Sequence, residues 1–183
     1  MEALMEQAEI KTYTKPQIGL HNLMALLIIG LYLFGLALES FDKSVRPDYI
    51  NIHKLGGLAI IALLAIRFVS RLITPPPAMP ATMGPLFVKL AHLGHYALYL
   101  LMAVVPLSGV FMSLYAGRGL NLYFMQVASP LVENKPLAHT LHEVHEVGAN
   151  LLAALVVGHV LFALYHQFVL KDNLLYRLSP RGK

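Results

Sequence analysis

Several stretches of this chain run past twenty residues without a formal charge. Among them are Ile18 to Leu38, with 21 residues, and Val147 to Leu170, with 24. A helix rises about 1.5 Å per residue, so roughly 20 apolar residues cross the ~30 Å hydrocarbon core of a bilayer. A soluble core offers no reason for runs of that length. The composition agrees: 57% of residues are hydrophobic and 13% charged, where soluble domains carry about 25% charged. The chain is therefore expected to fold as all-α, an integral membrane four-helix up-and-down bundle.

The other two spans are read with more help from their ends. Leu55 to Ile66 is uncharged for only 12 residues. A second span over 50–72 needs Lys54 and Arg67 to snorkel toward the interfaces; a buried amphipathic helix is the competing reading. Pro75, Pro76, Pro77, Pro80 and Pro85 make the following segment a stiff loop. A third span then covers 87–115, with Pro106 expected to kink it. The first span is placed at 17–39 and the fourth at 137–170. Residues 116–136 form a loop with an amphipathic piece, Leu120 to Val132. The bundle domain is thus 17–171, with a polar segment 1–16 before it and a basic tail 172–183 after it. Segment 1–16 lacks the basic start of a cleavable signal, so the first span is expected to be retained.

Orientation is read from Lys and Arg. One side holds Lys11, Lys15, Arg67, Arg71, Lys89, Lys171, Arg177, Arg181 and Lys183, and the other holds Lys43, Arg46, Lys54, Arg118 and Lys135. The richer side carries both termini, which are expected to be cytoplasmic. The basic residues are scattered and lack interleaved aromatics, so nucleic acid is not an expected partner. There is no cysteine. That excludes disulfides, iron–sulfur clusters, Cys-ligated zinc and covalently attached heme.

Histidine is the chemically informative residue. Ionisable side chains inside a membrane are costly and are usually functional. His21 lies near the inner start of the first span, and His53 near the outer start of the second. His145 lies early in the fourth span, on the outer side. His159 follows 14 residues later, about 21 Å deeper and nearly on the same helical face. Depth therefore pairs His21 with His159 and His53 with His145. Two neutral imidazoles on facing helices can fill both axial positions of a heme iron, which suits electron transfer. Two hemes b at two depths would form a transmembrane electron path. Gly30, Gly35, Gly56, Gly57, Gly148 and Gly158 would let helices approach or make room for porphyrin. The competing readings are histidines that merely bond neighbouring helices, and a zinc site. For zinc, His139, His142 and His145 share no single face, and His142-Glu143-Val144-His145 is one residue short of H-E-x-x-H.

Three further histidines, His92, His95 and His166, fall at the inner depth. Neutral imidazole can hydrogen-bond a quinone carbonyl and pass a proton, so His95 and His166 are candidate quinone-site residues. On the outer side Lys54 adjoins His53, and with Arg46, Arg118 and Lys135 it would attract a small anion or an acidic partner. Interface anchoring is the bland alternative for these cations.

These residues bring a known family into view. Gln17-Ile18-Gly19-Leu20-His21, Asn51-Ile52-His53, Leu90-Ala91-His92-Leu93-Gly94-His95, His145-Glu146 with the step to His159, and His166 with Lys171-Asp172-Asn173 together resemble the bacterial cytochrome b561 family, small di-heme proteins of the inner membrane. Nearly the whole chain after residue 15 is covered, and the superoxide oxidase type is the most similar. The resemblance implies two hemes b on His21, His53, His145 and His159, and a ubiquinone site near His95 and His166 on the cytoplasmic side. It also implies an oxidoreductase of the bacterial cell inner membrane that oxidises superoxide at the periplasmic side. The same helix-and-histidine plan resembles the cytochrome b subunits that anchor a partner dehydrogenase and carry its electrons to quinone, which is the alternative function.

Overall fold

A computed structural model describes residues 12–79, 83–123, 125–172 and 174–179. Most of segment 1–16 and part of tail 172–183, including Lys11, Arg181 and Lys183, lie outside the described residues. Four long helices dominate: α1 (Lys15–Ala37), α2 (Arg46–Ile73), α3 (Pro85–Tyr115) and α4 (Lys135–Tyr165). All four are long and apolar enough to cross a membrane. The fold is an all-α four-helix membrane bundle. Its exterior carries exposed Leu, Ile, Val and Phe along every helix, as a lipid-facing surface requires. Few residues are fully buried. Met24, Met102 and Leu152 form the small mid-bundle core.

The helix starts follow local chemistry. A proline stands in the first turn of each helix, where its missing N–H costs nothing. Gln17 Oε1 accepts from Thr14 N at 3.2 Å, and Gln17 Nε2 donates to Thr74 O at 2.8 Å, tying the start of α1 to the end of α2. Asn134 Oδ1 caps α4 by accepting from Leu137 N at 3.0 Å. Helix α2 begins four residues before the expected 50. Arg46 reaches back to Glu39 O and Phe41 O at 2.8 and 2.9 Å, closing the α1–α2 connection on itself. In that connection, Asp42 accepts from Ser44 N and Oγ, which holds its carboxyl below the usual carboxylate range.

The amphipathic piece Leu120 to Val132 does not form a helix. Leu120–Asn121 (β1) and Gln126–Val127 (β2) pair antiparallel as a short hairpin. Gly117 and Gly119 take φ of +71° and +61° to make the turn that leads into it, a conformation glycine adopts without strain. At the other end of the bundle α4 continues as a π turn, His166–Leu170. Lys171 then takes a left-handed φ of 54° and a short 3-10 helix, Leu174–Leu178, follows. Tyr13 N donates to Arg177 O at 3.1 Å, so both ends of the described chain meet at one end of the bundle. We call this the terminal end, and the opposite one the hairpin end.

Packing is uneven around the bundle. Helices α3 and α4 pack along their length, whereas α1 and α4 barely touch. The α1–α4 seam is bridged at mid-depth by Tyr32 Oη, which donates to Asn150 Oδ1 at 2.9 Å. Cavities open along this seam and at the terminal end, and both contain histidines.

Candidate cofactor sites

At the hairpin end, His53 on α2 faces His145 on α4 with ring centroids 6.0 Å apart. At the terminal end, His21 on α1 faces His159 on α4 with centroids 6.3 Å apart. The structure thus brings together the pairs that depth and helical phase suggest. An imidazole nitrogen binds a metal at about 2 Å, so two rings on opposite sides of one ion have centroids roughly 6 Å apart. Both pairs match that spacing, and in neither do the two rings hydrogen-bond each other. Among the described residues, no group of three or more His, Cys, Asp and Glu is placed to hold a metal ion.

The hairpin-end pair is held by neutral groups. His145 Nδ1 donates to Val105 O at 2.8 Å, which leaves Nε2 as the ring's free lone pair. A metal-binding histidine ordinarily donates its other ring N–H in this way. Glycines supply the platforms. A Cβ at Gly35 would lie 3.1 Å from His53 Cε1, and one at Gly109 would lie 3.1 Å from His145 Nδ1. His53 Nδ1 is buried without a hydrogen-bond partner among the described residues. Around the pair lies an apolar cavity of about 450 Å³, bounded by Ile28, Tyr32, Met102, Pro106 and Leu152. Of the glycines marked in the sequence, Gly148 packs on Val105, while Gly30 and Gly158 have open space around them. Gly109 was missed.

The terminal-end pair sits in different company. His95 comes within 5.5 Å of His159, centroid to centroid. Arg67 Nη2 donates to His21 Nδ1 at 3.2 Å, and its Nε donates to Tyr99 Oη at 3.1 Å. Arg71 Cζ lies 5.8 Å from the Tyr99 ring centroid. These groups line a cavity of about 510 Å³ together with His92, Met79 and Arg177. Ligand sites commonly have volumes of about 300–1,000 Å³. Arg67 was expected to snorkel out to the interface, and it turns inward instead. A sequence signal existed. Arg67 follows His53 by 14 residues, the same step as His145 to His159, so it shares the ligand-bearing face of α2.

His166 does not line that cavity. It is 0% exposed, enclosed by Phe87, Phe162 and Tyr165. Its Nδ1 is 2.5 Å from Asp172 Oδ2, and its Nε2 has no hydrogen-bond partner among the described residues. Asp172 Oδ1 also accepts from Leu174 N at 3.3 Å, so one carboxylate joins the end of α4 to the final 3-10 helix. Arg177, 7% exposed, donates to Ala78 O at 2.6 Å from that same helix.

At the hairpin end Lys54 also turns inward. Its Nζ donates to Ser113 Oγ at 2.7 Å, and Ser113 Oγ donates to Gly119 O at 3.0 Å. Arg118 is near enough to repel it. His139 pairs loosely with Glu143 at 3.6 Å on the exposed face of α4, away from both imidazole pairs.

The chain is similar to known proteins over nearly its whole length. Residues 12–180 match the model of a family described as prokaryotic cytochrome b561. The chain is 36% identical over 176 residues to a probable superoxide oxidase CybB of Yersinia pestis, covering 94% of this chain and 98% of the relative. It is 32% identical to cytochrome b562 of Cereibacter sphaeroides, covering 92% and 96%. It is 26% identical to cytochrome b561 homolog 1 of Escherichia coli, covering 93% and 98%.

Proposed function

The chain belongs to the prokaryotic cytochrome b561 family, and on that premise we propose that it moves electrons from superoxide on the periplasmic side to ubiquinone near the cytoplasmic side. Membership establishes the coarser statement, a membrane-embedded oxidoreductase of b-type heme electron transfer. The finer reading has two hemes b, one on His53 and His145 and one on His21 and His159. The observation that carries it is the presence of two imidazole pairs at two depths, sharing α4, with centroid spacings of 6.0 and 6.3 Å. The superoxide assignment leans on the name of the 36%-identical relative. The basic residues favour cytoplasmic termini in a bacterial inner membrane.

Heme b, held by His53 with His145 and by His21 with His159, would supply a one-electron couple. The chain's residues supply orientation, charge and protons. Val105 O fixes the His145 tautomer, and Gly35 and Gly109 let α1 and α3 approach the ligand rings. Lys54 and Arg118 set a positive field at the hairpin end, which favours approach of a small anion. Two superoxide anions each lose one electron and leave as dioxygen. The two electrons and two protons convert one quinone to its quinol. His95 stands beside the inner pair as a hydrogen-bond donor to a quinone carbonyl. His166, oriented by Asp172, is the second candidate for handling those protons.

A reduced-minus-oxidised visible spectrum with heme quantification is the first test, and two b-type hemes per chain are expected. Absence of b-type bands after expression with ample heme overturns the reading. Stopped-flow mixing with superoxide, with and without quinone, tests donor and acceptor. Reduction only by a copurifying dehydrogenase would replace the superoxide assignment with the membrane-anchor one.

A further inference from the structure

Arg67, Arg71 and Arg177 line the terminal-end cavity, and among the described residues no carboxylate pairs with Arg67 or Arg71. Arg67 and Arg71 stand one helical turn apart on α2, and both line the cavity. Among the described residues the ion pairs are Lys135–Glu133, His139–Glu143 and His166–Asp172, and none includes either arginine. A guanidinium inside a membrane span is costly unless a partner compensates it. Tyr99 contributes an oxygen to Arg67 and a ring face to Arg71, but no charge. Arg67 also lies on the ligand-bearing face of α2, one 14-residue step from His53.

The bond from Arg67 to His21 sharpens the point. A guanidinium can only donate, so His21 Nδ1 must accept. The neutral ring then carries its hydrogen on Nε2. A histidine that gives Nε2 to iron carries its hydrogen on Nδ1 and needs an acceptor there. His145 has that compatible arrangement, donating from Nδ1 to Val105 O. An axial His21 therefore cannot keep Arg67 on Nδ1. Arg67 must move to another partner, and the group that matches a guanidinium is an oxyanion, best a carboxylate.

We propose that Arg67 and Arg71 form an anion subsite that takes the propionate carboxylates of the heme held by His21 and His159. The proposal rests on the heme reading above. Heme b has two propionates, and Arg67 and Arg71 line the same cavity as His21 and His159; Arg177, the third arginine there, donates to Ala78 O. Tyr99 keeps one arm of Arg67 on the α3 side. Among the described residues, by contrast, no Lys or Arg lines the hairpin-end cavity. A phospholipid phosphate shares the required chemistry, so the test must separate the two anions.

The full-length holoprotein and its R67Q, R71Q, R67Q/R71Q and R67K/R71K variants are placed in nanodiscs of defined lipid composition. Heme transfer to an excess of a heme-scavenging apoprotein is followed spectroscopically, and the two heme midpoints are titrated. The glutamine double variant is expected to release the inner heme at least about tenfold faster, roughly 1.4 kcal/mol. Its inner midpoint should fall, because lost positive charge favours the oxidised state. The outer heme should keep its release rate and spectrum, which also reports that the fold survives. The lysine variant should recover part of the retention. Reconstitution with heme dimethyl ester removes the propionate charges, so the wild type should fall to the level of the double variant. Equal release from all variants overturns the proposal, as does a substitution effect that persists in full with the ester. An effect that follows the anionic-lipid content of the disc assigns the anion to phosphate and overturns it as well. A chain with no heme spectrum before any scavenger is added refutes the heme reading itself, a result distinct from these.

Discussion

The two ends of the bundle use the same pair of imidazoles and surround them differently. At the hairpin end the neighbours are glycine backbone, one carbonyl, the rings of Phe34 and Tyr32 and aliphatic side chains. At the terminal end they are three arginines, two more histidines and the Tyr99 hydroxyl. A relay that only passes electrons benefits from dry, rigid walls, because little has to reorganise when its charge changes. A site that also meets protons or anionic groups needs polar side chains that can move. The difference supports assigning electron entry to the hairpin end and quinone chemistry to the terminal end.

The largest expected effect tests whether the two sites are separate at all. His53→Ala or His145→Ala should remove one heme, the hairpin-end one, and leave the other spectrum unchanged. His21→Ala or His159→Ala should do the reverse. Heme-to-protein ratio and low-temperature difference spectra read the outcome. If two members of a proposed pair deplete different hemes, the pairing is wrong and the comparison of the two ends collapses.

Next comes the division of labour. His166→Leu should retain both hemes and slow quinone reduction by about a hundredfold, the lower range for loss of an acid–base group. Asp172→Asn should act in the same direction more weakly, because the amide oxygen can still accept from Nδ1 and hold the ring in place. Pre-steady-state heme reoxidation by quinone measures both. Unchanged kinetics in His166→Leu would confine this residue to tying the last 3-10 helix to α4, and would leave His95 as the proton-handling candidate.

The fold was legible because apolar runs of bilayer length admit few structures in lipid, where every backbone group must be satisfied within a helix or a barrel. The ligand pairs were legible because 14 residues is nearly a whole number of turns. Arg67 obeyed the same arithmetic and was misread, since a charge near a helix end invites the assumption of snorkelling. Asp172 stands six residues after His166, and the spacing alone does not announce their contact. That contact depends on a π turn and a left-handed Lys171, and neither has a sequence signal. Gly109 was passed over for a related reason: a glycine in an apolar helix announces close approach without saying to what.

A milder change probes the rigidity of the hairpin-end walls. Gly109→Ala would set a Cβ 3.1 Å from two atoms of the His145 ring. The ring must shift by tenths of an ångström, at an overpacking cost of about 1–3 kcal/mol. The outer heme band should move or broaden while the inner one stays. Gly94→Ala on the same helix meets nothing within 4 Å and serves as the control. A shift of the inner band instead would show that the two ends are mechanically coupled through α3.

The smallest effect concerns how the hairpin end holds its charge. Lys54 is anchored by Ser113 Oγ, which also bonds Gly119 O in the turn before the hairpin. Ser113→Ala removes both bonds, worth about 1 kcal/mol each, but keeps the ammonium. Lys54→Gln keeps an amide that can still bond Ser113 and removes the charge. If the hairpin end attracts an anionic donor by its field, the two variants must separate. Ser113→Ala should change the superoxide rate by less than about threefold and leave its salt dependence intact, because steering depends on charge rather than on a fixed contact. Lys54→Gln should lower the rate more and flatten its dependence on ionic strength. The opposite ranking would mean that Lys54 works as a brace for the hairpin, and the positive field would then fall to Arg118 and the other exposed cations.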